Sequence, residues 1–443
     1  MGRYTKEDIF RIAQEENVEF IRLQFIDMFG VLKNVAVTVS LLEKALNNRI
    51  SFDGSAIEGF VGVEESDLYL YPDLDTFAIF PWRPQQGRVA RFLCDIYYPD
   101  GRPFEGDSRR ILKNVLQRGR DEGCAFLIGP ECEFFLYHLD DSGRPTTLTH
   151  EEAGYFDVAP ADLGENARRD MIMTMEEMGY QVDASHHEYA PGQHEIDLHY
   201  SEALYAADMI TTFRLAARTV AKRHGLCATF MPKPKSGVHG SGMHINISVV
   251  KDGVNLFENA EDPNGLSREA YWFIGGIMKH IPAITAIANP IINSYKRLAS
   301  GYEAPQYIAW SSRNRSMLIR IPATRGFNTR IELRSPDSAA NPYLALAMCL
   351  EAGMDGIRRR IDPPAAVEEN MASMKEEERR ERGIQRLPMT LAEAVSCLKE
   401  DALMKEVLGE HICGKLIAQK EEEWKAYQMQ VSEWEIEQYL SRF

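Results

Sequence analysis

The sequence has little of what would mark a secreted, membrane or nucleic-acid-binding protein. Its seven cysteines (Cys94, Cys124, Cys132, Cys227, Cys349, Cys397, Cys413) are odd in number and form no C-x-x-C pair, which argues against a disulfide framework or a zinc ribbon and for a reducing compartment. Positive charge is in the minority: 50 Lys and Arg against 66 Asp and Glu leave a net charge of −16, so a general basic surface for nucleic acid is excluded. No uninterrupted apolar run of about 18 residues occurs, so no membrane-spanning helix is expected. The start, MGRYTKEDIFRIAQEENVEF, carries charge throughout and lacks the apolar region of a signal peptide. There is no internal repeat, linker or low-complexity tract. These absences predict a cytoplasmic, globular protein.

What remains is a chain of 443 residues, long enough for two or three domains. After a short helix over 5–16, residues 18–98 read as strands (VEFIRLQFIDMFG, VLKNVAVTV, RVARFLCDIYY) interrupted by SLLEKALNN, which fits a small α+β domain. PDGRPFEGDSRR at 99–110 reads as its boundary. Helical periodicity follows at 107–122, 166–178, 202–224, 267–288 and 342–359, with Gly179 and Gly225 just past two of these runs and Asn341-Pro342 as a cap with proline at the first position. A charged helix is predicted over 367–382 and further helix through the last 27 residues, whose Trp424, Tyr427, Trp434 and Tyr439 call for a docking surface on a partner subunit or on the chain itself.

Four segments alternate with period two, placing polar side chains on one strand face and apolar ones on the other. Glu131 and Glu133 alternate with Cys132, Phe134 and Leu136; Glu195, Asp197 and His199 with Ile196 and Leu198; His244, Asn246 and Ser248 with Ile245 and Ile247; Arg330, Glu332 and Arg334 with Ile331 and Leu333. Pro191-Gly192 makes a turn that can return Glu188 to the same end as Glu195. One such strand is an ordinary half-buried sheet with a wet face. Four together carry Glu, His and Arg, poor strand formers that need compensation. Carboxylates sharing a cleft repel one another unless cations neutralise them. Hard oxygen donors with one imidazole suit Mg²⁺ or Mn²⁺. Six candidates (Glu131, Glu133, Glu188, Glu195, His244, Glu332) exceed the needs of one hydrated ion, so two or more metals are expected, the arrangement phosphoryl transfer uses.

A basic tract accompanies them. Between Lys296 and Arg334 stand eight basic residues (Lys296, Arg297, Arg313, Arg315, Arg320, Arg325, Arg330, Arg334) against only Glu303 and Glu332. Guanidinium forks grip carboxylate and phosphate at two points, so the pair of clusters describes a site for ATP and an anionic substrate. Two segments imitate functional motifs. GEHICGKL at 409–416 looks like a phosphate loop but lacks the final Ser or Thr and follows no strand, so it reads as a turn. His186-His187 has no second pair at ligand spacing, which makes His187 structural, and Met171, Met173, Met175 and Met178 read as helix packing.

Read in order, SFDGSAIEGF (51–60), PECEFF (130–135), SHHEYAPGQHEID (185–197), KPKSGVHGSGMHINIS (233–248), NSYKRLASGYEAPQYIAWSSRNRSMLIRIP (293–322) and TRIELRSPDSAANPYLALA (329–347) closely resemble glutamine synthetase of the bacterial type I class, over essentially the whole chain. The resemblance implies an α+β protein: an N-terminal β-grasp domain (15–99) plus a large catalytic α/β domain of the glutamine synthetase/guanidino kinase type (106–443), assembled as a dodecamer of two stacked hexameric rings with active sites between subunits. It implies ATP-dependent ligation of ammonia to glutamate through γ-glutamyl phosphate. By position, Glu133, Glu188 and Glu195 match the ligands of one metal, and Glu131, His244 and Glu332 those of a second. Arg297, Glu303, Arg315 and Arg334 match groups around glutamate and the transferred phosphoryl, and Gly240 a backbone contact to glutamate. Asp183, Asn246, Ser248, Arg315 and Arg320 match positions near ATP. Asp53 matches the aspartate that binds and deprotonates ammonium from a neighbouring subunit, and Glu303 the flap glutamate.

The resemblance also carries alternatives and departures. A γ-glutamyl ligase using a larger amine is one alternative; binding of nitrogen-control transcription factors is an added role expected of the alpha subtype. QRLPMTLAEA runs on without the tyrosine-bearing segment of members regulated by adenylylation, as in that shorter subtype. Gram-positive members usually have arginine where this chain has Gly62, and the family links that arginine to feedback inhibition by glutamine.

Overall fold

The structure is a computed structural model that describes residues 3–82, 86–301, 303–369, 371 and 373–443. The N-terminal part opens with α1 (Lys6–Glu15), started by a capping box in which Thr5 and Asp8 satisfy each other's backbone amides. It continues through β1 (Val18–Ile26), β2 (Leu32–Thr38), α2 (Leu42–Leu46), β3 (Ile50–Asp53), β4 (Asp67–Pro72), β5 (Ala78–Ile79) and β6 (Arg88–Tyr97). The strands order as β2-β1-β6-β4-β3, with β1 and β6 parallel and β5 added to β6. Their apolar face packs with Ile9, Leu42 and Leu46 from the two helices.

The larger part carries α3 (Ser108–Asp121), β7 (Cys124–His138), α4 (Glu165–Glu177), β8 (Val182–His187), β9 (Gln193–Leu198), β10 (Ser201–Glu202), α5 (Ala203–Arg223), β11 (Leu226–Thr229), β12 (Met243–Lys251) and β13 (Val254–Asn255). It ends with α6 (Arg268–Ala288), α7 (Ile292–Ser300), β14 (Trp310–Ser311), β15 (Ile319–Arg320), β16 (Ile331–Leu333), α8 (Pro342–Arg359), α9 (Glu376–Glu381), α10 (Leu391–Glu400), α11 (Ala402–Gln428) and α12 (Glu433–Tyr439). The sheet order is β14-β15-β16-β12-β7-β9-β8, and all pairs except β14–β15 are antiparallel. The 15-residue β7 is the spine, pairing with β9, β10, β11 and β12. Its inward side chains join α3, α5, α6 and α8 in one apolar core, leaving the other sheet face polar.

Two devices tie the parts together. Arg109 of α3, almost fully buried, pairs with Asp73 at 2.7 Å and Asp95 at 2.8 Å from the N-terminal part and with Asp208 of α5 at 2.8 Å. Asn341 caps α8 by accepting from the Tyr343 and Leu344 amides, while its own amide donates to the carbonyls of Asp27 and Met28. Pro342 at the first helical position loses no intrahelical bond.

The predicted helices through 359 appear within a residue or two of their expected ends. The structure departs from four of the sequence expectations. The charged run at 367–382 is helical only over Glu376–Glu381; ahead of it Val367, Met371 and Met374 are buried with Ala309 and Met317, and the Val367 amide donates to the Trp310 carbonyl at 2.9 Å instead of closing a helical turn. The segment from Gly409 to Leu416 is not a turn but part of α11, interrupted only at Gly409, whose φ of 74° kinks it. The tail breaks between Gln428 and Glu433 before α12. Of the four methionines read as packing, Met173 is instead exposed, because it lies off the stripe formed by Met171, Met175 and Met178. Trp424 packs against the core, whereas Tyr427, Trp434 and Tyr439 remain exposed.

Candidate active site

The sheet register decides which charges meet. Across β7–β9, Glu131 stands opposite Asp197 and Glu133 opposite Glu195. Across β7–β12, His244 stands opposite Glu131, and across β12–β16 Asn246 stands opposite Glu332. The β8–β9 turn brings Glu188 back beside Glu195, its amide bonded to the Gln193 carbonyl at 2.8 Å. Like charges placed directly opposite in a ladder destabilise it, so this face requires positive charge from outside the strands.

Guanidinium groups provide part of it. Glu332, fully buried, pairs with Arg320 and Arg334. The buried Arg297 side chain is held rigid by the carbonyls of Ser335 at 2.8 Å, Pro336 at 3.2 Å and Arg334 at 3.1 Å. Together these groups line a cavity of about 180 Å³ that contains all six predicted ligands with Gly240, Arg297, Glu303, Arg315, Arg320 and Arg334. Seven carboxylates and four arginines border it, so the carboxyl groups outnumber the guanidiniums. Gly240 lies against backbone: a Cβ there would come within 2.3 Å of the Pro232 carbonyl. Glu303 takes a left-handed conformation at φ 56°, just after Gly301 at φ 70°. Tyr302 of the predicted flap lies outside the described residues.

Titration reflects the crowding. Burial, then the charge of Glu133, raises Glu188 to about 8. Burial, then Glu133 and Asp197, pushes Glu195 well above the carboxylate range. Burial, then Glu131, raises Asp197 to about 7. Glu131 goes the other way: burial alone would raise it, but hydrogen bonding and charge from His244, with the Asn246 amide donating at 2.9 Å, hold it down to about 2. Burial first, and then one another's charge, make Glu188, Glu195 and Asp197 reluctant to ionise, a cost that a bound cation would relieve.

Ligand atoms of Glu131, His244 and Glu332 lie within 4.8 Å of one another, as do those of His186, Glu188 and Glu195. The first group is one predicted metal set. The second shares Glu188 and Glu195 with the other predicted set, with His186 added; Glu133 meets it through the Glu195 pairing and is oriented by Gln193 Nε2 at 3.0 Å and the Gly242 amide at 2.9 Å. A second cavity of about 350 Å³ shares Glu131 and Asp197 with the first and is lined by the predicted ATP-side residues Asp183, Asn246 and Ser248, with Tyr200, Phe327 and Arg330. Asp53 is not in either cavity. It sits at the end of β3, its carboxylate exposed and accepting from Ser55, at 2.8 Å from the amide and 2.6 Å from the hydroxyl.

Tyr155, Tyr189 and His239 line the cavity without having been singled out in the sequence, and His186, discounted there with His187, lines it too, its ring beside Glu188 and Glu195. Tyr189 stacks between Tyr155 at 4.3 Å and His239 at 4.5 Å. Tyr155 lies in an irregular loop that gives no periodic signal. His186 had a signal, since adjacent strand residues face opposite ways: His186 faces the cavity and His187 the interior. Behind the sheet, His150, Glu151 and His194 also lie close enough for a metal. The Arg168 guanidinium, however, donates to His194 Nδ1 at 2.9 Å and to Asp162 at 2.8 Å. The neutral His194 ring therefore carries its proton on Nε2, a donor rather than a ligand.

A model described as the glutamine synthetase catalytic domain matches residues 105–439, and one described as the glutamine synthetase β-grasp domain matches 17–99. The chain belongs to the glutamine synthetase family. The glutamine synthetase of Clostridium saccharobutylicum is 56% identical over the full length of both chains, and that of Staphylococcus aureus strain N315 is 54% identical over 99% of each. A solved GmaS–ADP complex is 33% identical, with a TM-score of 0.89 over 98% of this chain and 99% of the other. Plasmodium falciparum glutamine synthetase is 26% identical, with a TM-score of 0.87 over 99% of each. This is therefore an enzyme, a ligase of the ATP- and divalent-metal-dependent glutamine synthetase family, built as a β-grasp domain followed by the catalytic domain. Among the described residues no helix is long and apolar enough to cross a membrane.

Proposed function

We propose that this chain joins ammonia to the side-chain carboxylate of L-glutamate, converting ATP to ADP and phosphate, through γ-glutamyl phosphate. The observation that supports this most is the surplus of facing carboxylates in a cavity walled by arginines that shares Glu131 and Asp197 with a second cavity. A carboxylate is a poor electrophile. Transfer of the γ-phosphoryl group to it creates an acyl phosphate with a good leaving group, which ammonia then displaces.

Each residue has a role in this reading. Glu133, Glu188 and Glu195 hold one divalent ion and Glu131, His244 and Glu332 another; Mg²⁺ or Mn²⁺ suits their oxygen-rich donors. When bound, such ions neutralise charge on the phosphates. Arg297, already fixed by backbone carbonyls, binds the substrate carboxylate with the Gly240 backbone. Arg315 and Arg334 stabilise charge on the transferring phosphoryl. Asp183, Asn246, Ser248, Arg315 and Arg320 contact ATP. Glu303 closes over the cavity and keeps water from the acyl phosphate. Asp53, exposed outside the cavities of its own chain, serves a neighbouring subunit by taking a proton from ammonium.

The same reading assigns domains at 15–99 and 106–443, a cytoplasmic location and a dodecamer of two hexameric rings with sites between subunits. It adds contact with nitrogen-control transcription factors as a secondary role. ADP release measured with glutamate, Mg²⁺ or Mn²⁺, and either ammonium or a series of amines tests the reaction. Turnover with ammonium far above methylamine and polyamines is expected; preference for a larger amine would replace the reading with that of a different γ-glutamyl ligase.

A further inference from the structure

Glu151 lies outside both cavities, yet it connects the elements that border the acidic one. Its side chain is 2% exposed. One carboxylate oxygen accepts from His187 Nε2 at 3.0 Å and from the Gly192 amide; the other accepts from the Ala153 amide. His187 Nδ1 in turn meets the Glu188 carbonyl at 2.7 Å. With an oxygen acceptor at each ring nitrogen, His187 donates from both.

These bonds run along the metal-binding hairpin. His187 ends β8 immediately before Glu188, and Gly192 closes the turn immediately before β9 with Glu195. Glu151 therefore grips both sides of the turn that sets the separation of Glu188 and Glu195. It also fastens the loop carrying Tyr155 to the hairpin, a link repeated by the Phe156 amide donating to the His187 carbonyl at 3.1 Å. Tyr155 reaches the cavity from that loop, stacked on Tyr189 and hydrogen-bonded to Arg315.

We infer that Glu151 is a positioning residue for the metal cluster, clamping the β8–β9 turn so that Glu188 and Glu195 close on one ion. This rests on the reading that those two carboxylates hold a metal. Partners behind a metal's ligands fix ligand geometry, and losing one typically costs 10–100-fold in affinity or activity. A glutamine cannot replace the clamp: it has one oxygen for three donors on two sides, so its NH₂ faces an N–H.

Mn²⁺ titration of the full-length enzyme, followed by the electron paramagnetic resonance of the free ion well below each protein's melting temperature, tests the assignment. Glu151→Gln is expected to weaken Mn²⁺ binding about 10–100-fold and to recover most of kcat at saturating Mn²⁺. Should Glu151→Gln not fold, His187→Gln, which keeps a donor near the Nε2 position, is expected to bind Mn²⁺ close to wild type, and His187→Leu to bind it about 10-fold more weakly or worse. Wild-type-like binding in Glu151→Gln, or equal binding in the two His187 variants, overturns the assignment. Glu195→Gln separates the two claims. If it loses an ion while Glu151→Gln does not, only the positioning role fails; if it too binds normally, the metal reading fails.

Discussion

Glu133 and Glu195 stand directly opposite one another in the β7–β9 ladder, two buried carboxylates on one face of the sheet. With Glu188 raised to about 8 and Asp197 to about 7, this face retains protons at neutral pH. Because these folded-state values lie above the unfolded ones, the groups stabilise the metal-free protein fully below about pH 4, and the contribution is lost as pH rises through 7 and 8. Metal binding needs the ionised forms, so it releases protons. Calorimetry in buffers of different ionisation enthalpy should show proton release per ion at pH 6.5 that falls toward zero above pH 9. Release independent of pH would show that the carboxylates are ionised before the metal arrives.

Asp53 is expected to act on the amine alone. Its carboxylate is held below the usual range by the Ser55 hydroxyl and amide, so it stays anionic and attracts the ammonium cation. Asp53→Ala should lower amide formation about 100-fold or more while leaving the KM for ATP within a few-fold. Equal loss of both would contradict a role confined to ammonium.

Arg109 faces Asp73, Asp95 and Asp208 where the two domains meet, with Lys113 as a second cation 2.5 Å from Asp95. Replacing the guanidinium by the similarly long but neutral methionine strands buried carboxylates, which costs about 3–5 kcal/mol. Thermal melts of Arg109→Met should shift down by several degrees; an unchanged Tm would mean that the domains hold together without this cluster.

Gly62 precedes a short 3₁₀ turn with extended φ of −81°, so an L side chain meets no backbone strain there. A Cβ would come within 2.5 Å of Glu64 Oε2, the far end of a flexible side chain. Gly62→Arg should therefore fold normally. If arginine at this position carries feedback, glutamine should inhibit the native enzyme weakly and Gly62→Arg strongly. Strong inhibition of the native enzyme would sever the link between this position and feedback.

Much of the site was legible because its signal is local. Alternation along β7, β9 and β12 already puts Glu131, Glu133, Glu195, His244 and Asn246 on polar faces, and burial of Ile196 and Ile245 forces those faces outward. The register was not legible. Which carboxylate faces which depends on how the strands slide, and the pairing of Glu131 with Asp197 rather than Glu195 appears only in the fold. Tyr155 and Glu151 were invisible for another reason: they sit in an irregular loop whose position is set by tertiary hydrogen bonds. The charged 367–382 run misled because tertiary contacts decide its path: Val367, Met371 and Met374 are buried against Ala309 and Met317, and the Val367 amide bonds Trp310, so helix is left only to Glu376–Glu381.

The central claim is that one cavity holds paired divalent ions opposite an arginine wall. The most direct test counts Mn²⁺ per chain at pH 8 in the native enzyme, Glu131→Gln and Glu195→Gln. The prediction is at least two ions in the native chain and one fewer in each variant. A single ion in the native chain, or a count unchanged by both substitutions, would contradict it.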